Sequence, residues 1–229
     1  MKAAKAADGG GGGDVLEHRS ALLCAWGRFE VTSGETSTRE SALSFARTLF
    51  REAVDTCPGN AYAWVSWAHA EGYALRGTDG GDASTGIVRA GRRRASPAAA
   101  RQLAVLDEGL SHLRDNVHLL HARALSLKTA GDFEGARRAL IDLSRRHPDN
   151  THTWHALGTL LQELGEFEEA VAAFERGAEA KPGSTNLVCL TSAAAAAHHG
   201  GDLERARRLF MKGSGIASTG GGGLSLIHI

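Results

Sequence analysis

Apolar and small residues recur at helical spacing between residues 117 and 184, and the pattern is written twice at one offset. Gly131, Phe133, Ala136 and Pro148 return 34 residues later as Gly165, Phe167, Ala170 and Pro182, while Leu120 becomes Trp154 and Leu140 becomes Phe174. In the second copy Trp154, Leu157, Gly158 and Leu161 share one helical face, and Phe167, Ala170, Val171 and Phe174 share another. Asn150 or Thr151 can cap the first of these helices. Gly165 ends it by accepting a positive φ, and Pro182 breaks the chain after the second. Small residues at Gly158 and Ala170 let the two backbones approach. The pattern therefore predicts a pair of antiparallel helices that cannot bury its apolar face alone and must stack on copies of itself. The result is a helical solenoid whose function lies on its surfaces.

The pattern extends in both directions with less regularity. Toward the C-terminus, Leu190, Gly201, Leu203, Ala206 and Phe210 repeat it with the spacing stretched by two residues and without a closing proline. Toward the N-terminus, Trp26, Phe29-Glu30, Ala46-Arg47, Phe50, Ala53 and Pro58 form one unit. Trp64, Trp67-Ala68 and Glu71 open another, whose second helix resumes near Pro97 and runs through Leu103, Leu106 and Leu110. A segment rich in Gly, Asp, Ser and Arg, about 76–96, interrupts that unit. It reads as a loop that the stack tolerates.

The order Trp154, Leu157-Gly158, Gly165, Ala170, Phe174, Pro182 resembles the tetratricopeptide (TPR) repeat. Leu161 stands where an aromatic is usual, Gly177 where alanine is usual, and Arg123 of the preceding unit where leucine is usual. The aromatic-Glu pair Phe29-Glu30 and the pairs Ala46-Arg47, Ala136-Arg137 and Ala206-Arg207 resemble the half-a-TPR (HAT) variant. The resemblance implies an all-α, right-handed α-solenoid of about five helix pairs. The expected units are 14–59, 60–116, 117–150, 151–184 and 185–214, after a glycine-rich leader over 1–13 and before a tail over 215–229. The structural core is expected at Trp26, Phe50, Trp64, Trp67, Leu120, Ala136, Leu140, Trp154, Leu157, Gly158, Ala170, Phe174, Pro182 and Phe210.

Composition narrows the function without naming it. Twenty-six Lys and Arg balance 26 Asp and Glu, so any affinity for nucleic acid or membrane must come from local patches. Cys24, Cys57 and Cys189 are scattered, form no metal-type cluster and follow no secretion signal, which points to a reducing compartment. No apolar run is long enough to span a bilayer. The terminal segment Leu224-Ser225-Leu226-Ile227-His228-Ile229, after four glycines, has no place in the repeat and reads as a non-native junction or a truncation.

Two candidate sites follow. His118 and His121 occupy the second and fifth positions of one repeat, and His152 and His155 the same positions of the next, with Thr159 at the ninth. In the family these positions line the concave groove, so the resemblance implies a groove-contact role. Imidazoles at this spacing can hold Zn or Cu, but no Cys or acidic ligand accompanies them, so no metal site is expected. The second candidate is the basic run Arg89, Arg92, Arg93 and Arg94, weighed between phosphate contacts and a solvated loop. The Lys and Asn residues with which many TPR proteins clamp acidic C-terminal tails are missing: the fifth and ninth positions are His121 and Leu125, then His155 and Thr159. There is no phosphate-binding loop, nucleophile elbow or metal-hydrolase His-Glu pair, so no catalytic residue and no cofactor are expected.

Mixed HAT and TPR units resemble RNA-processing proteins, including splicing scaffolds and chloroplast messenger RNA maturation factors. The resemblance therefore implies a non-catalytic scaffold in RNA processing or mRNA stabilisation, in the nucleus or chloroplast. It would contact protein partners and RNA, with neither a membrane nor a small-molecule substrate. The other reading is a general protein–protein adaptor with no RNA contact.

Overall fold

The computed structural model describes residues 11–33, 39–73, 97–180 and 184–215, and these are entirely helical apart from the turns between helices. Ten helices follow one another: α1 (Gly11–Ser33), α2 (Arg39–Thr56), α3 (Ala61–Tyr73), α4 (Pro97–His112), α5 (Val117–Thr129), α6 (Phe133–Arg146), α7 (Thr151–Glu163), α8 (Phe167–Ala180), α9 (Ser184–His199) and α10 (Leu203–Ser214). Helix α1 starts inside the glycine run, at Gly11, where a leader through residue 13 is expected from the sequence. Contacts divide the chain into two compact units, Met1–Ala136 and Arg137–Ile229.

The same local devices recur. Gly131, Gly165 and Gly201 hold φ near +84°, +82° and +87°. Each lets the following N–H turn back to a carbonyl five residues earlier: Asp132 to Leu127, Glu166 to Leu161 and Asp202 to Ala197, all at 2.9 Å. This satisfies carbonyls that the end of a helix would otherwise leave without donors. The next helix is then started by an acceptor side chain. Asp132 accepts from the Gly135 N–H at 2.8 Å, and Asp202 from the Arg205 N–H at 2.9 Å. Asn116 caps α5 through the N–H groups of His118 and Leu119, and Asn150 caps α7 through Thr153.

In the first unit the core gathers Phe50, Val54, Trp64, Leu106 and Leu119, all buried. In the second, Leu140, Leu143, Leu160, Val171 and Phe174 are buried with Trp154 and with Ala193, Ala194, Ala196 and Ala197 of α9. The helices of the α7–α8 pair approach closely because Gly158 has no side chain: a Cβ there would lie 2.7 Å from the Phe174 ring.

Of the expected core residues, Phe50, Trp64, Trp67, Ala136, Leu140, Trp154, Leu157, Gly158, Ala170 and Phe174 are buried. Three others depart from expectation. Trp26 is 50% exposed, with the Phe45 ring of α2 edge-on to it at 5.5 Å, and Phe210 is 51% exposed. Leu120 is only half-buried, and its neighbour Leu119 takes the fully buried place in α5. Pro182 lies outside the described residues, as does the insertion at 76–96.

Candidate interaction surfaces

The first unit carries an open cleft of about 710 Å³ where α1, α2 and α3 meet. Thr48, Glu52, Asp55 and Thr56 of α2 form one wall, Arg19 of α1 another, and Trp67 of α3 the floor. Helical spacing explains the wall: residues 48, 52 and 55 are four and three apart and share a face. Arg51 lies over the Trp67 ring, 4.7 Å from its centroid, and reaches Glu108 of α4 at 2.8 Å. Arg19 pairs with Glu52 across α1 and α2.

Behind the cleft sits a buried carboxylate. Glu71, with 3% of its side chain exposed, accepts both Nε and Nη2 of Arg47 at 2.8 Å. It also accepts the Trp67 indole N–H at 3.2 Å, and Arg101 of α4 approaches to 3.3 Å. Burial by itself raises the Glu71 pKa. The Arg47 guanidinium, the Trp67 indole and Arg101 outweigh it and hold the carboxyl below its ordinary range. One carboxylate thus fastens α2, α3 and α4. The Ala46-Arg47 and Trp67–Glu71 patterns marked two of its members. Arg101 carries no pattern in the sequence and was missed.

In the second unit, His155 bridges two helices. Its Nε2 lies 3.2 Å from the Ser192 hydroxyl of α9, and its ring lies 5.3 Å from that of Phe174. The Thr159 hydroxyl turns back to the His155 carbonyl at 2.9 Å, so it is committed within α7. His152 is exposed. Burial, with the charge of His152 nearby, lowers the His155 pKa below its ordinary value. His118 and His121 belong to the first unit: His118 is exposed, with its backbone N–H held by the Asn116 cap, and His121 is half-buried. The four histidines are thus divided between the two units, each pair standing in its own surroundings. Among the described residues no three His, Cys, Asp or Glu side chains are placed to hold a metal ion. Arg89, Arg92, Arg93 and Arg94 lie outside the described residues.

The basic pairs of the second helices engage carboxylates. Arg137 holds Glu166 at 2.8 Å, and Arg205 bridges Glu168 and Glu175 at 2.9 and 2.8 Å. Arg123, at a position where the repeat prefers leucine, reaches Asp107 at 2.6 Å. Among the described residues no helix is long and apolar enough to cross a membrane.

Residues 121–185 match the tetratricopeptide repeat family. No curated protein sequence matches the chain. Solved structures show the same fold at low identity. MamA from strain AMB-1 is 18% identical, with 88% of this chain and 96% of that one covered at a TM-score of 0.54. A second MamA crystal structure is 13% identical over 91% and 99%, with a TM-score of 0.55. MamA, residue 41 to the end, from Desulfovibrio magneticus RS-1 is 12% identical over 90% and 96%, with a TM-score of 0.54. The chain is thus an all-α helical-repeat protein of the TPR type in fold.

Proposed function

We propose that this protein is a non-catalytic scaffold that holds polypeptide partners on its repeat surfaces, the cleft between α1, α2 and α3 being one such surface. The observation that carries this reading is the internal pairing of the arginines around that cleft. Arg19, Arg47 and Arg51 each meet a carboxylate of a neighbouring helix, so the cleft offers balanced charge, hydroxyls and an aromatic floor. A phosphate backbone is recognised by basic groups that exchange counterions for phosphates. A mixed-charge peptide is suited to a surface that is itself mixed. The match of residues 121–185 to the TPR family points the same way.

In its finer form the reading places the scaffold in RNA processing or mRNA stabilisation, its partner a protein carried on RNA. Support comes from the HAT-like residues, since Ala46-Arg47 and Trp67–Glu71 here build the clamp beneath the cleft. Three unpaired thiols suit a reducing compartment such as the nucleus or chloroplast stroma.

The test is crosslinking of the chain in extract with and without ribonuclease, followed by binding of the captured protein to the purified parent and to a Thr48→Arg/Asp55→Arg variant. A direct protein partner survives ribonuclease and binds the variant at least about tenfold more weakly, because the new cations reverse the charge of the cleft wall. Direct, strongly salt-dependent binding of RNA to the purified chain, with no protein partner, would overturn the reading.

A further inference from the structure

Two faces of the repeat array lie open, and the register of the sequence shows what each is shaped to meet. Helices α1 and α3 align at an offset of 41 residues, Trp26 on Trp67 and Glu30 on Glu71. The alignment is chemical as well: in α1 the Trp26 indole donates to Glu30 at 2.7 Å, as the Trp67 indole donates to Glu71 in α3. At the matching positions α3 is buried and α1 is not. Ala63, Trp67 and Ala70 are buried, whereas their counterparts Leu22, Trp26 and Phe29 are 72%, 50% and 63% exposed. In α3 the covering helix is α2, whose Arg47 holds Glu71. Glu30 has its tryptophan and, among the described residues, no arginine.

The missing complement is carried on α10. Helices α2 and α10 align at an offset of 160, which sets Leu43, Ala46, Arg47, Leu49 and Phe50 on Leu203, Ala206, Arg207, Leu209 and Phe210. Ala206 and Leu209 are buried, as Ala46 and Leu49 are. The others face outward: Leu203 is 61% and Phe210 51% exposed, and Arg207 is held only by Glu204 of its own helix, at 3.1 Å, among the described residues. Residues 203, 207 and 210 are four and three apart and form one stripe. In α2 the matching stripe is Leu43, Arg47 and Phe50: Arg47 meets Glu71 of α3, Phe50 packs against Gly27 of α1, and Leu43 is buried in the same core.

We infer that the α10 face of one copy docks on the α1 face of a second, placing Arg207 on Glu30 as Arg47 sits on Glu71. The contact uses two different patches, so it is heterologous. Assembly therefore proceeds head to tail, continuing the repeat packing from one chain into the next.

Sedimentation of the full chain and five variants tests this. The parent forms dimers and larger species as its concentration rises. Leu22→Asp/Phe29→Asp removes one face and Leu203→Asp/Phe210→Asp the other. Each variant alone sediments as a monomer with parental helix content. Mixed in equal amounts they form a dimer that grows no further, because one intact face of each kind remains. Arg207→Glu and Glu30→Arg each weaken association by roughly tenfold or more, since like charges then oppose each other, and the double exchange recovers it. This charge pair carries the test should a variant with two aspartates fail to fold. A parent that stays monomeric at every concentration overturns the proposal. So does a mixture that stays monomeric, or a charge exchange that fails to restore association; a distinct partner helix or another segment would then cover these faces.

Discussion

The indole nitrogen of Trp154 donates to the Pro148 carbonyl at 2.8 Å, and Trp64 makes the same bond to Pro58 at 3.0 Å. In both units the tryptophan reaches back six residues, across the turn that joins two helix pairs. Each ring is buried, and its one polar atom is spent on a carbonyl that no helix serves. The lock ties the turn leaving one pair to the core of the next. Trp154→Phe keeps most of the apolar bulk and loses the bond, so it should cost about 1 kcal/mol. Trp154→Ala should cost about 3–5 kcal/mol, as expected for truncating an aromatic in a packed core. Urea denaturation of both variants separates the two contributions. Equal losses would show that the bond, not the ring, matters.

Glu71 makes the first unit sensitive to acid. Its folded-state pKa lies below the ordinary carboxylate value, so the folded state binds that proton less readily than the unfolded state. Stability from this group is present above the unfolded pKa and is lost as pH falls through the folded one. The loss should therefore begin near pH 4.5 and deepen below it. Glu71→Gln should flatten that part of the stability profile. Glu71→Ala should cost about 3 kcal/mol at neutral pH, because Arg47 and the Trp67 indole lose the buried carboxylate they both hold. Stability measured from pH 7 to 3 on parent and variants checks both statements.

The parts of this fold legible in the sequence are those fixed by local chemistry. Gly131 and Gly165 mark helix ends because only a residue without Cβ turns there easily, and both turns hold positive φ. Trp154, Gly158, Ala170 and Phe174 showed their burial through spacing alone. Trp26 and Phe210 defeated the same reasoning. They satisfy the pattern, but burial needs a neighbour on the far side, and periodicity along one helix does not say whether a neighbour exists. Leu120 was misjudged for a related reason: the apolar residues of α5 are spread around the helix among His118, His121, Arg123 and Lys128, so its pattern leaves the buried face undecided between adjacent leucines. The cleft was harder still. Its members come from three helices, and only the Trp67–Glu71 and Ala46-Arg47 pairs signalled any part of it.

The three cysteines should differ sharply in reactivity. Burial pushes the Cys24 thiol up to about 11, and raises that of Cys189 as well. Both are fully buried, whereas Cys57 is partly exposed beside the Pro58 turn. The thiolate is the reacting species, so one thiol should react with a disulfide reagent in the native protein and three after denaturation. Mass spectrometry should place the native adduct on Cys57, and rapid native labelling of Cys24 would mean that α1 separates readily from its neighbours.

Close approach at Gly158 gives a sharper test of helix packing than any large residue. A methyl group there would meet the Phe174 ring at 2.7 Å, inside normal contact. Gly158→Ala ordinarily favours a helix by about 1 kcal/mol. Here overpacking opposes that gain, and a cost of about 1–3 kcal/mol is expected to win. The paired change Gly158→Ala with Phe174→Leu should recover part of the loss by removing the edge of the ring. A simple stabilisation by Gly158→Ala would show that α7 and α8 are free to move apart.

A solvated imidazole has an ordinary pKa of about 6.5. His155 instead lies against Phe174 and Ser192, with the charge of His152 nearby, and burial is the larger cause of its lowered pKa. The neutral ring is therefore the form the folded state prefers. Because its folded pKa is below the unfolded value, the unfolded state takes up the proton first. Stability from this group is complete above pH 6.5 and declines as pH falls from there through the folded pKa. Proton NMR should show the His155 ring titrating below an ordinary imidazole. His155→Gln should remove its share of the stability loss that begins below pH 6.5, while leaving that of Glu71, which begins near pH 4.5, intact. A His155 midpoint at or above the ordinary value would mean that the ring swings away from Ser192 into water.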